Sequence, residues 1–457
     1  LTAASTTMVW LILARALAGL GAAGLISVTQ IITASISPMN ERGLYMGILG
    51  AVFGLGTTIG PFIGGLVADI WSWRVSFYIN IPLVSLSVII ILLLVKSDAR
   101  KNETFSEKLA RVDFFGALML VTGLMLLLLG LNWGGRVYPW VAPVVIICIS
   151  VGLLLLCVFV FVEGKLVLEP IIDPGILRYR NVALSIMAEV CVGAVFLNTT
   201  FNLPVYYSFT QNSSASESGV RMVPLACGVV VSSIISGWLI AVFSAYRLVA
   251  CAGTVIMTLG AGLLCLFDGH ISVGAQAPIL IVLGSGIGCC IQALLLTAQA
   301  TICADDLAIT TALVTFSQMI GGIMGMAFGS IVSESSTKHY LDHVIDLNPK
   351  YAAEIIKAQN DATEIWSIDI PHEIQQSIIA AYAKGLQHSF VLITCFAALA
   401  MIFAACLQSV SQHKPPPTPE RGSSRRNARR YAASPIDHPR NGFDLYRHDQ
   451  DEATLAW

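Results

Sequence analysis

The chain has 457 residues, of which 56% are hydrophobic and 12% are charged, and its mean hydropathy is +0.76. Water-soluble domains do not have these proportions, so the composition indicates a protein that lies mostly within a lipid bilayer. The formal net charge is −2, which leaves no electrostatic case for binding nucleic acid.

Runs of about 18 or more apolar residues predict membrane-spanning helices. We count eleven such runs and expect an all-α, polytopic membrane protein. In chain order the predicted spans are Thr6–Ala34, Tyr45–Ile70, Trp73–Val95, Phe114–Asn132, Trp140–Val162, Val182–Thr210, Gly219–Phe243, Arg247–Phe267, Ala277–Thr301, Ala308–Val332 and Gln387–Gln408.

The second predicted span contains the glycine-rich stretch GLGTTIGPFIGG. Gly56, Gly60 and Gly64 recur every fourth residue and therefore share one helix face, where a neighbouring helix can approach closely. Pro61 lacks an amide hydrogen and its ring presses on the carbonyl of Thr57, which predicts a bend. A helix in lipid tolerates these residues because its backbone has no other hydrogen-bonding partner.

The same residues carry a family resemblance. Gly56, Gly60, Pro61, Gly64 and Gly65 match the G-x-x-x-G-P-x-x-G-G signature of proton antiporters in the major facilitator superfamily. The segment that follows, WSWRVSFYINIP, resembles the entry to the sixth helix in the fourteen-helix drug:proton antiporter branch. The resemblance implies a helical bundle that exchanges small organic molecules for protons.

The first predicted span resembles the fourth helix of that branch. Arg15, Gly19 and Gly21 fit its motif R-x-x-Q-G-x-G, with Ala18 in place of the glutamine. The resemblance implies a role for Arg15 in proton transfer, whereas its position early in the span also fits a structural role at the membrane interface. Because three helices of the fourteen would precede this one, we expect the chain to be part of a longer product.

The resemblance also divides the chain. Residues 1–95 would be the remnant of an N-terminal bundle, 96–112 a cytoplasmic linker, 113–181 two central helices with a cytoplasmic loop, and 182–410 a C-terminal six-helix bundle. Within that bundle, residues 333–386 are predicted to form an outer loop, in which 351–365 would lie on the membrane surface. Residues 411–457 have the composition of a disordered tail. Clustered Lys and Arg residues place the linker and the tail in the cytoplasm.

Polar residues inside the predicted spans are candidates for the transport site. Glu189 is the clearest internal carboxylate, and it would either carry a proton or a cation, or lie peripherally near the inner headgroups. Amides and hydroxyls repeated along helix faces either line a substrate cavity or bond one helix to another. These candidates are Asn198, Asn202, Tyr206, Gln292, Gln299, Thr315 and Gln318.

Other patterns argue against enzymatic chemistry. The glycines of GSGIG, residues 284–288, lie in an apolar helix and indicate helix packing rather than a dinucleotide site. His339 and His343 lack a convincing third metal ligand. The sequence contains no Walker loop, and its eleven cysteines include no C-x-x-C pair. We therefore expect no enzyme activity, no cofactor and no metal.

The predicted function is proton-coupled antiport of small organic molecules by alternating access. Transport of basic amino acids into a vacuole is an alternative, suggested by a likeness of Leu131–Trp140 to vacuolar permeases. A non-transporting sensor or an inactive fragment is a second alternative. The expected partners are a small-molecule substrate, protons and the bilayer, with the protein a monomer in the plasma membrane or, alternatively, the vacuolar membrane.

Overall fold

The computed structural model describes residues 1–38, 41–94, 113–135, 137–165, 171–172, 175–269, 271–303, 306–352, 354–356, 366 and 371–409. Within these residues the chain is all-α, and it contains 11 helical segments long and apolar enough to cross a bilayer. The eleven predicted spans are thus confirmed. The predicted linker 96–112 and tail 411–457 lie outside the described residues.

The helices are named here in chain order. They are α1 (Met8–Ile36), α2 (Arg42–Ile70), α3 (Trp73–Tyr78), α4 (Asn80–Leu94), α5 (Phe114–Trp133), α6 (Pro143–Lys165), α7 (Arg180–Gln211), α8 (Ala215–Arg221), α9 (Val223–Phe243), α10 (Tyr246–Leu264), α11 (Val273–Gln299), α12 (Leu307–Leu347) and α13 (His372–Ala405). The pair α3–α4 forms one span, and the pair α8–α9 forms another.

The main core lies among α7 and α9 to α13. Helix α11 is the most enclosed of the spans, because glycines bring its neighbours close. A Cβ atom on Gly284 would overlap the carbonyl oxygen of Leu225 in α9, and one on Gly286 would overlap the backbone of Met257 in α10. Residues two apart on a helix point about 200° apart, so these two glycines serve opposite neighbours. The sequence GSGIG is therefore a packing surface, as predicted.

The glycine signature of α2 does not pack as predicted. No described atom lies within 4 Å of the position that a Cβ atom would occupy on Gly56, Gly60 or Gly64. The expectation of a close neighbour on this face is therefore not met by the described residues. Helix α2 continues through Pro61 without interruption, and the bend predicted there remains a prediction.

Helix α2 instead packs through a second set of glycines. Cβ atoms on Gly43, Gly47, Gly50, Gly54 and Gly65 would come within 2.6 to 3.1 Å of atoms in α8 or α9. These five glycines also share a face, and the face of Gly56 is turned about 200° from that of Gly54. Gly56, Gly60 and Gly64 do share one face of α2, but α9 packs on the opposite face. Of the signature glycines, Gly65 alone among the described contacts joins this interface.

Residues 333–386, predicted to form an outer loop, are largely helical where they are described. Helix α12 runs for 41 residues and α13 for 34, so α12 extends for about 61 Å, twice the thickness of the hydrocarbon core. Their ends pack around a second hydrophobic cluster. It consists of Leu341, Val344, Ile355, Ile374, Ile378, Ala381 and Tyr382. Apolar residues at helical spacing hold the ends of the two helices together.

Candidate functional site

A cavity of about 260 Å³ lies between α1, α2, α9, α11 and α12. Its walls are mainly apolar, formed by Leu25, Ile26, Met46, Leu49, Val52, Phe53, Val229, Ile291 and Met319. Six uncharged polar side chains interrupt them, namely Thr29, Gln30, Ser233, Gln292, Thr315 and Gln318. An apolar enclosure with a few placed polar groups is typical of small-molecule sites.

Three of the predicted cavity residues meet in this cavity. Gln292 comes from α11, and Thr315 and Gln318 come from α12. Sequence reasoning missed Gln30 and Ser233. Neither belongs to a series of amides along one helix face, so the pattern that selected the other residues could not select these two.

A hydrogen bond crosses the cavity between α1 and α12. The hydroxyl of Thr315 donates to Oε1 of Gln30 at 2.6 Å, and the carbonyl oxygen of Thr311 is a second acceptor at 3.0 Å. Helix α1 belongs to the predicted N-terminal remnant and α12 to the predicted C-terminal bundle. The two predicted bundles are therefore bonded to each other directly at the cavity.

Two amide atoms at the cavity are buried without a hydrogen-bond partner among the described residues. They are Oε1 of Gln292 and Nε2 of Gln318, whose side chains are 3% and 7% exposed. Leaving a buried polar atom unpaired costs about 1–3 kcal/mol. One atom is an acceptor and the other a donor, so a ligand with both capacities would relieve both costs.

Glu189 lies in the junction of α7, α11 and α12. It is 1% exposed, and neither carboxylate oxygen has a hydrogen-bond partner within the described part of the chain. Its carboxylate is in electrostatic range of Cys290 on α11. One turn further along α7, Gly193 packs so closely that a Cβ atom there would overlap the carbonyl oxygen of Gln318. Glu189 is thus enclosed by protein, one helical turn from Gly193, which packs on the backbone of the cavity residue Gln318.

The other predicted cavity residues bond helices together instead. Nδ2 of Asn198 donates to the carbonyl oxygen of Gly325 at 2.9 Å, and Nδ2 of Asn202 donates to Oδ1 of Asn198 at 3.0 Å. The hydroxyl of Ser389 on α13 donates to the same Oδ1 at 3.3 Å. These bonds join α7, α12 and α13, because an amide at lipid depth must find a partner.

Tyr206 and Gln299 are also absent from the cavity wall as the structure describes it. The hydroxyl of Tyr206 accepts from the backbone N–H of Gly269 at 3.1 Å, and its ring packs on Phe267. Nε2 of Gln299 donates to the hydroxyl of Thr311 at 2.9 Å. Asn198, Asn202, Tyr206 and Gln299 therefore do not line the described cavity, and their hydrogen bonds join them to neighbouring segments of the chain. Oε1 of Gln299 has no hydrogen-bond partner among the described residues.

Arg15 lies on an exposed face of α1. Its guanidinium carbon is 5.6 Å from the centre of the Phe77 ring, a cation–π contact that suits a cation at the membrane interface. Fifteen residues separate it from Gln30, which is about 22 Å along the helix axis. Arg15 therefore does not reach the cavity in this conformation, and its role in proton transfer stays a prediction.

Membrane-length helices around an apolar cavity with buried, unpaired polar atoms define a polytopic membrane transport protein. The chain belongs to the Major Facilitator Superfamily, whose family model matches residues 1–326. It is therefore an integral, multi-pass membrane transporter for a small-molecule substrate. This superfamily is a class of transporters rather than of enzymes.

Named relatives extend over most of the chain. The "MFS-type efflux pump MFS1" of Arthroderma benhamiae is 29% identical over 396 residues, which cover 86% of this chain and 73% of that protein. The "Multidrug resistance protein fnx1" of Schizosaccharomyces pombe is 28% identical over 395 residues, covering 85% and 73%. The solved structure of a bacterial homologue of the human lysosomal transporter Spinster, inward-facing and occupied, aligns with a TM-score of 0.43 at 18% identity, covering 83% of this chain and 91% of that one.

Proposed function

We propose that this transporter exports lipophilic organic molecules in exchange for protons, by alternating access, with Glu189 as the residue that carries the proton. The observation that carries the proposal is the position of Gln318. Its side chain lines the cavity, and its backbone packs on α7 one turn from the unpartnered Glu189. The printed names of the relatives, an efflux pump and a multidrug resistance protein, support export.

The enclosure of Glu189 links its proton to the conformation of the protein. An ionised carboxylate without a partner at this depth costs several kcal/mol. Loss of the proton therefore favours a conformation in which α7 and α12 separate near Gly193 and water reaches the carboxylate. Because Gln318 packs on Gly193 and also lines the cavity, this separation also changes the shape of the cavity. Protonation of Glu189 and binding of substrate in the cavity then both change the contact between α7 and α12.

Contacts at the end of α2 support a closed state of the interface between the two predicted bundles. Asp69 accepts hydrogen bonds from the backbone N–H of Ser216, at 3.1 Å, and from its hydroxyl. Gly65 packs on Ala215 beside them. Alternating access requires that such contacts at one end of the cavity break in the opposite conformation. We assign the Asp69–Ser216 contact to that role.

Replacing Asp69 with Ala is expected to loosen the start of α8. Hydrogen–deuterium exchange of residues 213–221 should become several-fold faster, since the Ser216 amide loses its acceptor. Asp113→Ala is the matched control, because Asp113 caps α5 through the backbone N–H of Gly116 at 2.8 Å. Equal exchange of residues 213–221 in the Asp69 variant and the unmodified protein would remove this contact from the mechanism.

Reconstituted protein tests the proposed exchange directly. The purified chain is placed in liposomes that contain the pH dye pyranine and an acidic interior, and Nile red, benzanilide or tetraphenylphosphonium is added outside. We expect at least one probe to evoke proton efflux, and nigericin, which collapses the gradient, to abolish it. Proton movement that is the same with and without every probe would contradict the proposal.

The remaining parts of the proposal concern location and assembly. We propose the plasma membrane as the location, because export crosses the cell boundary, and a cytoplasmic tail, because Lys and Arg residues are enriched in the tail. The described cavity is lined by helices of a single chain, and we propose that the protein functions as a monomer.

A further inference from the structure

Two glutamine side chains that line the cavity carry complementary hydrogen-bonding atoms. Oε1 of Gln292 is an acceptor, Nε2 of Gln318 is a donor, and both are buried without a partner among the described residues. They come from adjacent helices, α11 and α12, and line one cavity. An acceptor and a donor on neighbouring walls match a group that presents one N–H and one carbonyl oxygen.

We propose that the cavity selects uncharged molecules with an amide-type group, such as a secondary amide, lactam or imide, on an apolar body. The N–H of this group donates to Gln292, and its carbonyl oxygen accepts from Gln318. The inference rests on the proposed function, since it takes this cavity as the transport site. It adds the substrate chemistry, which the family membership leaves open.

The remaining lining residues suit an uncharged ligand. Each of the six polar side chains that the structure places around the cavity is an amide or a hydroxyl. A cation or an anion held there would lose its hydration against neutral dipoles alone, which is unfavourable. The apolar walls accept the body of the ligand, and Met46 and Met319 supply flexible side chains that adapt to different shapes.

Three small probes separate the chemical classes. Benzanilide has both the N–H and the carbonyl oxygen, N-methylbenzanilide lacks the N–H, and tetraphenylphosphonium is a lipophilic cation. Binding of each probe to the full chain in lipid nanodiscs is measured by equilibrium dialysis against empty nanodiscs. We expect benzanilide to bind about tenfold more tightly than N-methylbenzanilide, the effect of one buried hydrogen bond. We expect tetraphenylphosphonium to bind more weakly than benzanilide.

Variants locate the hydrogen bonds. Gln292→Leu should lower benzanilide affinity about tenfold and erase the difference between benzanilide and its N-methyl derivative, as a double-mutant cycle requires. Gln318→Leu should lower the affinity for both anilides. Gln299→Leu is the matched control, since Gln299 lies on the same helix and bonds Thr311 rather than lining the described cavity wall; it should leave all three affinities unchanged.

The outcomes are distinguishable from those of the exchange proposal. The inference is overturned if methylation of the N–H has no effect on binding to the unmodified protein, which needs no variant to fold. It is equally overturned if no anilide binds, or if tetraphenylphosphonium binds most tightly. Proton-driven transport of tetraphenylphosphonium that survives both glutamine variants would overturn the inference alone. The expected anilide binding without any proton-coupled movement would support the inference and contradict the exchange.

Discussion

Replacing Glu189 with Gln is expected to uncouple transport from the pH gradient. Gradient-driven movement of the probe should fall at least about tenfold, because the several kcal/mol that charge burial contributes to the conformational change are lost. Gln resembles the protonated acid in shape, so the helix crossing keeps its packing, while the affinity for substrate should fall because the variant has no proton to release. Proton efflux from pyranine-loaded liposomes, measured beside binding in nanodiscs, checks both parts.

Glu163→Gln provides the matched control for this prediction. Glu163 is also a buried carboxylate in a span, 5% exposed, but its oxygens accept from the backbone N–H of Ile171 at 2.8 and 3.1 Å. Its carboxylate therefore has a hydrogen-bond donor, which Glu189 lacks among the described residues, and we expect its removal to leave coupling intact. If both variants transport with normal coupling, Glu189 has no part in it; if both lose coupling, the effect reflects buried acids in general.

Replacing Gly193 with Val is the second change with a large expected effect. The added Cβ would overlap the carbonyl oxygen of Gln318, and backbone atoms cannot move aside as a flexible side chain can. Overpacking of this kind destabilises by about 1–3 kcal/mol or more. Size-exclusion chromatography after heating should show the folded protein lost at a temperature several degrees lower than for the unmodified chain.

Gly24→Val is the comparison for that experiment. Gly24 lies inside α1, and no described atom comes within 4 Å of the position of its Cβ atom. The same substitution there changes helix propensity without a clash, so the melting temperature should move much less. Equal shifts in the two variants would show that Gly193 does not form a close helix crossing in the folded protein.

The spans were predictable because a membrane helix is recognised from local hydropathy alone. The sequence did not predict which face of a helix contacts its neighbours. In α2, the set that includes Gly47 and Gly54 and the set that includes Gly56 and Gly60 both have helical spacing. The sequence does not predict which of the two sets packs on α9, since this depends on residues that are distant in the chain. The family signature drew attention to the set that the described neighbours do not contact.

The candidate site was predictable in part for a similar reason. An amide inside a span must find a partner, and the sequence does not distinguish a ligand from another helix. Both uses were open for every amide, and the structure places Gln292 and Gln318 at the described cavity while Asn198 and Asn202 bond helices. Gln30 is the only amide side chain in its span, so no pair of amides at helical spacing indicated it before the structure placed it opposite Thr315.

The central claim is that the cavity and Glu189 share one helix crossing, so that substrate and proton displace each other. Calorimetric titration in nanodiscs, repeated in buffers of different ionisation enthalpy, counts the protons released when the transported probe binds. We predict the release of close to one proton per probe bound by the unmodified protein, and of none by Glu189→Gln. Probe binding without proton release, or equal release by both proteins, would contradict the claim.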